Sequence, residues 1–200
     1  MVQIWLELVV KFLEKEMYKD FAILDVETTG GKFNEEKITE IAIIVYDGDK
    51  IIDKFETLIN PGKDIQPFVQ KLTGINMNLV KNSPKFKDVS EKIFKITKDK
   101  IIVAHNVDFD YRVIKNEFQS INIKYYRDSL CTVDLSKLIF PNLKSYKLTN
   151  LLSHFGIENE NPHRANSDTL GALKLFQIII SNDLEMKAIK SKIKTCKEGE

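Results

Sequence analysis

The sequence predicts an α/β fold: a mixed five-stranded sheet flanked by helices. Three observations carry this. Short strand-like runs joined by turn signals open the chain, helical periodicity dominates the rest, and one all-apolar run, Ile101–Ala104, interrupts the helices.

The elements follow in order. Phe21–Asp25 is an apolar run that reads as a strand continued through Val26, ending at the turn Thr28-Thr29-Gly30-Gly31. Ile38–Tyr46 is apolar almost throughout and reads as a second strand. Asp47-Gly48 marks a hairpin into a third, Ile51–Ile59, which Asn60-Pro61-Gly62 ends. Three strands joined by short turns predict an antiparallel meander. Gln66–Thr73 and Pro84–Lys98 then read as helices. Ile101–Ala104, without a polar position, has the character of a covered parallel strand. Asp108–Phe118 reads as a helix with Asp108 as its N-cap, since an aspartate there accepts backbone N–H groups. A short strand is expected within Tyr126–Cys131. Helices are expected at Val133–Ile139, Leu148–Phe155 and Ala165–Ile180, with Pro141-Asn142 and Pro162 as breaks.

At 200 residues the chain suffices for one domain with a substantial core, and its 43% apolar, 30% charged composition excludes disordered and fibrous classes. Lys and Arg number 30 against 29 Asp and Glu. This balance lacks the overall basic signature of a nucleic-acid binder, but a carboxylate-rich site offsets phosphate-binding lysines in the total. Cys131 and Cys196 have no C-x-x-C spacing, so they read as reduced thiols rather than as a zinc or redox site.

Residues 1–17 read as an amphipathic helical extension, with Trp5, Leu8 or Val9, Phe12 and Glu16 at helical spacing. Three readings stay open: docking on the domain's own surface, partner binding, or a start placed early with Met17 the true one. Glu7 interrupts the apolar stretch and no basic region precedes it, so it is not a signal peptide, and it is too short to span a bilayer. No membrane association and a cytoplasmic location are therefore expected. Residues 183–200 form a lysine-rich tail that reads as a solvated terminus, a frayed helix end or a phosphate-seeking arm.

The carboxylates carry the chemistry. Asp25 and Glu27 are two apart at the first strand's end, so both point the same way. Two adjacent acids repel unless a cation or proton intervenes, and such oxygen donors suit Mg²⁺ or Mn²⁺. Alone, this pair equally fits a solvated strand end. Asp110 follows the Ile101–Ala104 strand, and Asp168 opens the last long helix with His163 just before it. A histidine beside carboxylates can serve as a general base near neutral pH. Ligands gather at the carboxyl ends of parallel strands, and four carboxylates can hold two divalent ions about 4 Å apart around a scissile phosphate.

Three segments resemble the motifs of the DEDDh family of 3′–5′ exonucleases, which have a ribonuclease H-like fold. They are Asp25-Val26-Glu27-Thr28-Thr29-Gly30, Ala104-His105-Asn106-Val107-Asp108-Phe109-Asp110 and His163-Arg164-Ala165-Asn166-Ser167-Asp168. The resemblance runs from about Tyr18 to Ile180, giving an exonuclease domain at 18–182. Each motif is weak alone; the three in order are specific. Lys71-Leu72-Thr73-Gly74-Ile75 resembles a segment of the epsilon proofreading branch. The sister branch has a tyrosine four residues before the last aspartate, where this chain has Arg164.

The resemblance implies Asp25, Glu27, Asp110 and Asp168 as ligands of two Mg²⁺ or Mn²⁺ ions. It implies His163 as the base that deprotonates the attacking water. Thr28 and Thr29 would meet the terminal nucleotide, and His105, Asn106 and Phe109 would line or support its pocket. Arg164 has two readings, a phosphate contact or a structural role. The substrate would be DNA 3′ ends, with RNA ends the alternative, and a DNA polymerase subunit is a candidate partner in trans. Oligomeric state stays open. A non-catalytic binding module and a phosphohydrolase of free nucleotides are the other classes; the first requires loss of a ligand or base, and all five residues are present.

Overall fold

The computed structural model describes residues 20–183 and 185–196. The expected N-terminal helix lies outside these. Five strands form one sheet in the order β3-β2-β1-β4-β5: β1 Phe21–Thr28, β2 Ile38–Tyr46, β3 Ile51–Leu58, β4 Ile101–Ala104 and β5 Ser129–Cys131. β1, β2 and β3 pair antiparallel as the predicted meander, and β4 and β5 add parallel to β1. The helices are α1 Pro67–Thr73, α2 Met77–Val80, α3 Phe86–Ile96, α4 Val107–Ser120, α5 Thr132–Ile139, α6 Leu148–His154, α7 Ala165–Asn182 and α8 Lys187–Lys192.

The strand period of two sorts the core into two layers. Ala22, Leu24 and Val26 of β1, with Ile41, Ile43 and Val45 of β2, pack under α3 and α4. Phe21 and Ile23, with Ile44 and Tyr46, face α5, α6 and α7 on the other side. Asp25, Glu27 and Glu40 continue this second face. An edge-on contact of Phe21 with Phe176, ring centroids 4.9 Å apart, seats α7 under the same face. Gly171 permits α7 to approach α6, since a Cβ there would lie 2.6 Å from Leu152 Cδ1. The exposed edge strand β3 carries Asp53, Lys54 and Glu56, charges that discourage further pairing.

Four expectations are corrected. β1 runs past Val26 to Thr28, because β2 continues to pair with it through Glu27↔Glu40 and Thr28↔Ile38. Asp25 and Glu27 thus both lie within the strand. Asp108 is not an N-cap. The chain turns at Asn106, left-handed at φ 75°, so α4 starts at Val107, one residue earlier than expected. The exposed Asp108 side chain instead pairs with Lys194 at 2.7 Å. The spacing of Leu170, Leu173, Phe176, Gln177 and Ile180 predicts one face of α7, but its buried face runs through Thr169, Ala172, Leu173, Phe176 and Ile179, leaving Gln177 exposed. Finally, residues 185–196 are not a solvated terminus. Ile189 is 0% exposed, the Asp183 carboxylate accepts the N–H groups of Ala188 and Ile189, and Lys194 exchanges two backbone hydrogen bonds with Ser129 at the sheet edge. Both cysteines are free. Among the described residues no helix is long and apolar enough to cross a membrane.

Candidate active site

The site forms where β1 ends against the N-terminal turns of α4 and α7. Asp25 and Glu27 project from one face of β1, and Asp168 arrives on the first turn of α7. Each of these three half-buried carboxylates offers an oxygen within 4.8 Å of the others. Asp110, 3% exposed in the first turn of α4, accepts the backbone N–H of Val26 at 3.1 Å, which ties α4 to β1 between the two strand acids.

Crowding shifts their protonation. Burial, then Asp110, Glu27, Asp168 and Glu40, push Asp25 well above the usual carboxylate range. Burial, then Asp168, Glu40 and Asp110, push Glu27 up to about 8, with Arg164 opposing. Burial pushes Asp110 up to about 7, with the Val26 N–H opposing. A buried set of mutually repelling oxygen donors is what a hard divalent cation relieves, so these residues fit Mg²⁺ or Mn²⁺.

The loop from Phe155 to Arg164 is tied down from both sides. His163 has a left-handed backbone at φ 64°, unusual for a side chain other than glycine, and its N–H donates to Asp168 Oδ2 at 3.0 Å. Next to it, Arg164 donates through Nε (3.0 Å) and Nη2 (2.6 Å) to Glu40, whose Oε2 also accepts the N–H of Ala165 at 2.9 Å.

The RNase T exonuclease family model matches residues 22–176. The chain belongs to this exonuclease family. A 3′–5′ exonuclease DinG of Staphylococcus aureus is 39% identical over 157 residues, 78% of this chain but 18% of that protein. The chain therefore spans under a fifth of the length of the curated relatives it matches. Among solved structures, exonuclease X in complex with 5′-overhanging duplex DNA aligns with a TM-score of 0.63 at 25% identity, covering 80% of this chain and 91% of that one. Escherichia coli exonuclease I bound to single-stranded DNA shares the fold, with a TM-score of 0.77 at 18% identity over 87% of this chain and 42% of that one. So does a 3′-exonuclease that recognises a histone mRNA stem-loop, at 0.68 and 18% over 89% and 85%.

In this member of the family the structure brings Asp25, Glu27, Asp110, Asp168 and the His163 backbone together. The nominated pocket residues differ more in what they have free. Thr29 is 0% exposed; its hydroxyl donates to Gly30 O and accepts from Lys37 N, and its backbone bonds Lys37 and Gln66. Thr28 Oγ1 accepts the N–H of Gly30 at 3.3 Å. Both nitrogens of His105 are engaged, with Thr132 Oγ1 and Tyr146 O at 2.9 Å each, so it ties the start of α5 to the loop before α6. Burial lowers its pKa. Asn106 is exposed at the turn into α4, and Phe109 is half-buried beside Asp110. The Arg164 guanidinium is engaged by Glu40.

Sequence reasoning overlooked Glu40, Asn159 and two exposed aromatics. A lone acid within the apolar run Ile38–Tyr46 was a signal for Glu40. Phe33 and Phe68, 72% and 62% exposed, belong to the segments around the Gly30-Gly31 turn. The Phe68 ring tip lies 3.3 Å from where a Gly30 Cβ would be, and the Arg112 guanidinium covers Phe33 at 4.3 Å.

Proposed function

We propose that this chain hydrolyses the terminal phosphodiester of DNA 3′ ends, single-stranded or frayed, releasing nucleoside 5′-monophosphates in a proofreading or repair role. The observation that carries the reading is the convergence of Asp25, Glu27 and Asp168 within 4.8 Å, on a chain whose family is exonucleolytic. Asp25, Glu27, Asp110 and Asp168 would hold two Mg²⁺ or Mn²⁺ ions. When bound, the ions offset the clustered charge, polarise the phosphate and acidify the attacking water. His163 takes the proton from that water through its imidazole. Glu40 and Asp168 hold the backbone on either side of His163, so the base is presented from an anchored loop. Phe33 and Phe68 give bases of a single strand apolar faces on which to stack.

The DNA reading is supported by the DNA complexes of exonuclease X and exonuclease I and by the epsilon-like segment Lys71–Ile75. That segment also supports a polymerase partner in trans. An RNA substrate is the second reading, favoured by the histone mRNA 3′-exonuclease, of which 85% is covered. The test uses 5′-labelled single-stranded, duplex and mismatched DNA and matched RNA, with Mg²⁺, Mn²⁺ or EDTA. Stepwise shortening of DNA that EDTA abolishes is expected. No shortening with either metal overturns the activity, and RNA cleaved far faster than DNA reverses the substrate.

A further inference from the structure

The Asp168 carboxylate has both oxygens engaged by its own loop. Oδ2 accepts the backbone N–H of His163, and Oδ1 accepts Asn159 Nδ2 at 2.7 Å. Asn159 is itself held: Ser167 Oγ donates to its Oδ1 at 2.5 Å, and Ser167 Oγ accepts the N–H of Asn161 at 3.3 Å. This chain of bonds has a direction. An amide presents an acceptor on one side and donors on the other. A carboxylate only accepts, so the donor side faces Asp168 and leaves the amide oxygen to the Ser167 hydroxyl, which rotates to donate to it. The reversed amide would set its oxygen against the carboxylate.

We propose that Asn159 is a positioning residue for the metal site, acting through Asp168, with Ser167 holding the Asn159 amide in place. This rests on the metal-dependent reading above. The physical reason is rotational. Asp168 is the one ligand of the close trio that does not come from β1, so its carboxylate plane is set by loop contacts and not by sheet geometry. Two N–H donors at fixed positions lock that plane. Each oxygen can accept at a second lone-pair site, which remains for a cation shared with Asp25 and Glu27. The donors are neutral, so they orient Asp168 without competing as charges for the site. Groups that orient metal ligands in this way typically change metal affinity by about 10- to 100-fold when removed.

The experiment measures Mn²⁺ binding to the full chain by calorimetry, independent of turnover, for wild type, Asn159→Ala, Asn159→Asp, Ser167→Ala and Asp25→Asn. Melting in EDTA is followed in parallel. Asn159→Ala is expected to raise the Mn²⁺ Kd by about 10-fold or more. Its kcat on the p-nitrophenyl ester of thymidine 5′-monophosphate should recover at saturating Mn²⁺. Ser167→Ala should shift Kd the same way by less, and Asn159→Asp, which lacks the donor, should not rescue. A wild-type Kd in Asn159→Ala overturns the proposal, as does a loss confined to EDTA melting temperature. If wild type binds no Mn²⁺, the metal reading fails and this proposal with it. If wild type binds and Asp25→Asn does not, a negative Asn159 result concerns Asn159 alone.

Discussion

Stripping divalent metal from the folded chain is expected to make its stability fall as pH rises, the reverse of ordinary acid denaturation. Glu27 moves from 4.5 to about 8 on folding, and Asp110 from 3.8 to about 7. Each carboxyl is therefore harder to ionise in the folded state, so between those limits the folded chain holds protons the unfolded chain has released. Stability rises with pH only where the unfolded state binds more protons; here the folded state does, so the sign is negative. The full stability is present below about pH 4.5 as far as Glu27 is concerned, and it is lost as pH climbs through 8. For Glu27 alone the ionisation costs about 5 kcal/mol more in the folded chain, an upper bound because one edge meets solvent. That rivals the whole stability of an ordinary domain. At about 2–4 °C per kcal/mol for a chain of this size, the melting temperature in EDTA should drop on the order of 10 °C between pH 5 and 8.5. Mg²⁺ should flatten the profile, because binding replaces the protons. Asp25→Asn should raise the EDTA melting temperature at pH 8 by removing a carboxyl that burial and its acidic neighbours make costly to ionise, and should abolish the response to Mg²⁺. Differential scanning fluorimetry across this pH range reads all of these. A melting temperature in EDTA that stays level or rises from pH 5 to 8.5 would refute the argument, and so would Asp25→Asn melting lower than wild type at pH 8.

Three further outcomes are expected. His163→Ala should lower kcat by about 10²- to 10⁴-fold while Mn²⁺ affinity measured by calorimetry stays near wild type; equal loss of both would assign His163 to the metal instead. Glu40→Gln should lose the charge that holds Arg164 and cost about 1–3 kcal/mol in urea denaturation, with reduced turnover of a single-nucleotide ester; unchanged stability and turnover would reduce this pair to a surface contact. Phe68→Ala should raise KM for a single-stranded oligonucleotide about 10-fold, the scale of one base stacked on an aromatic ring, and leave hydrolysis of the ester unaffected; an unaltered oligonucleotide KM would remove Phe68 from the strand path.

Much of the frame was legible because it rests on local chemistry. β2 and β4 begin and end where apolar runs meet turn residues, and Asp47-Gly48 delivers the hairpin between β2 and β3. The α4 start was read one residue late because Asn106 adopts a left-handed conformation that asparagine tolerates but composition does not announce. Lysines dominate the composition of the tail and point it to solvent, while burial of Ile189 depends on a surface supplied by other elements.

The same division runs through the site. By itself the sequence determined that Asp25 and Glu27 share a face, since the strand period of two admits no other result, and that Asp110 and Asp168 stand at helix starts. It also carried the three motifs that place the chain in its family. Only the tertiary structure decided that the first turns of α4 and α7 meet β1 at one point. It alone paired Glu40 with Arg164, Asn159 with Asp168 and Lys194 with Asp108. Each of those bonds joins segments far apart in the chain or separated by a loop, and it exists only when folding brings two polar atoms to about 3 Å. No residue in such a pair has a local pattern that names its partner.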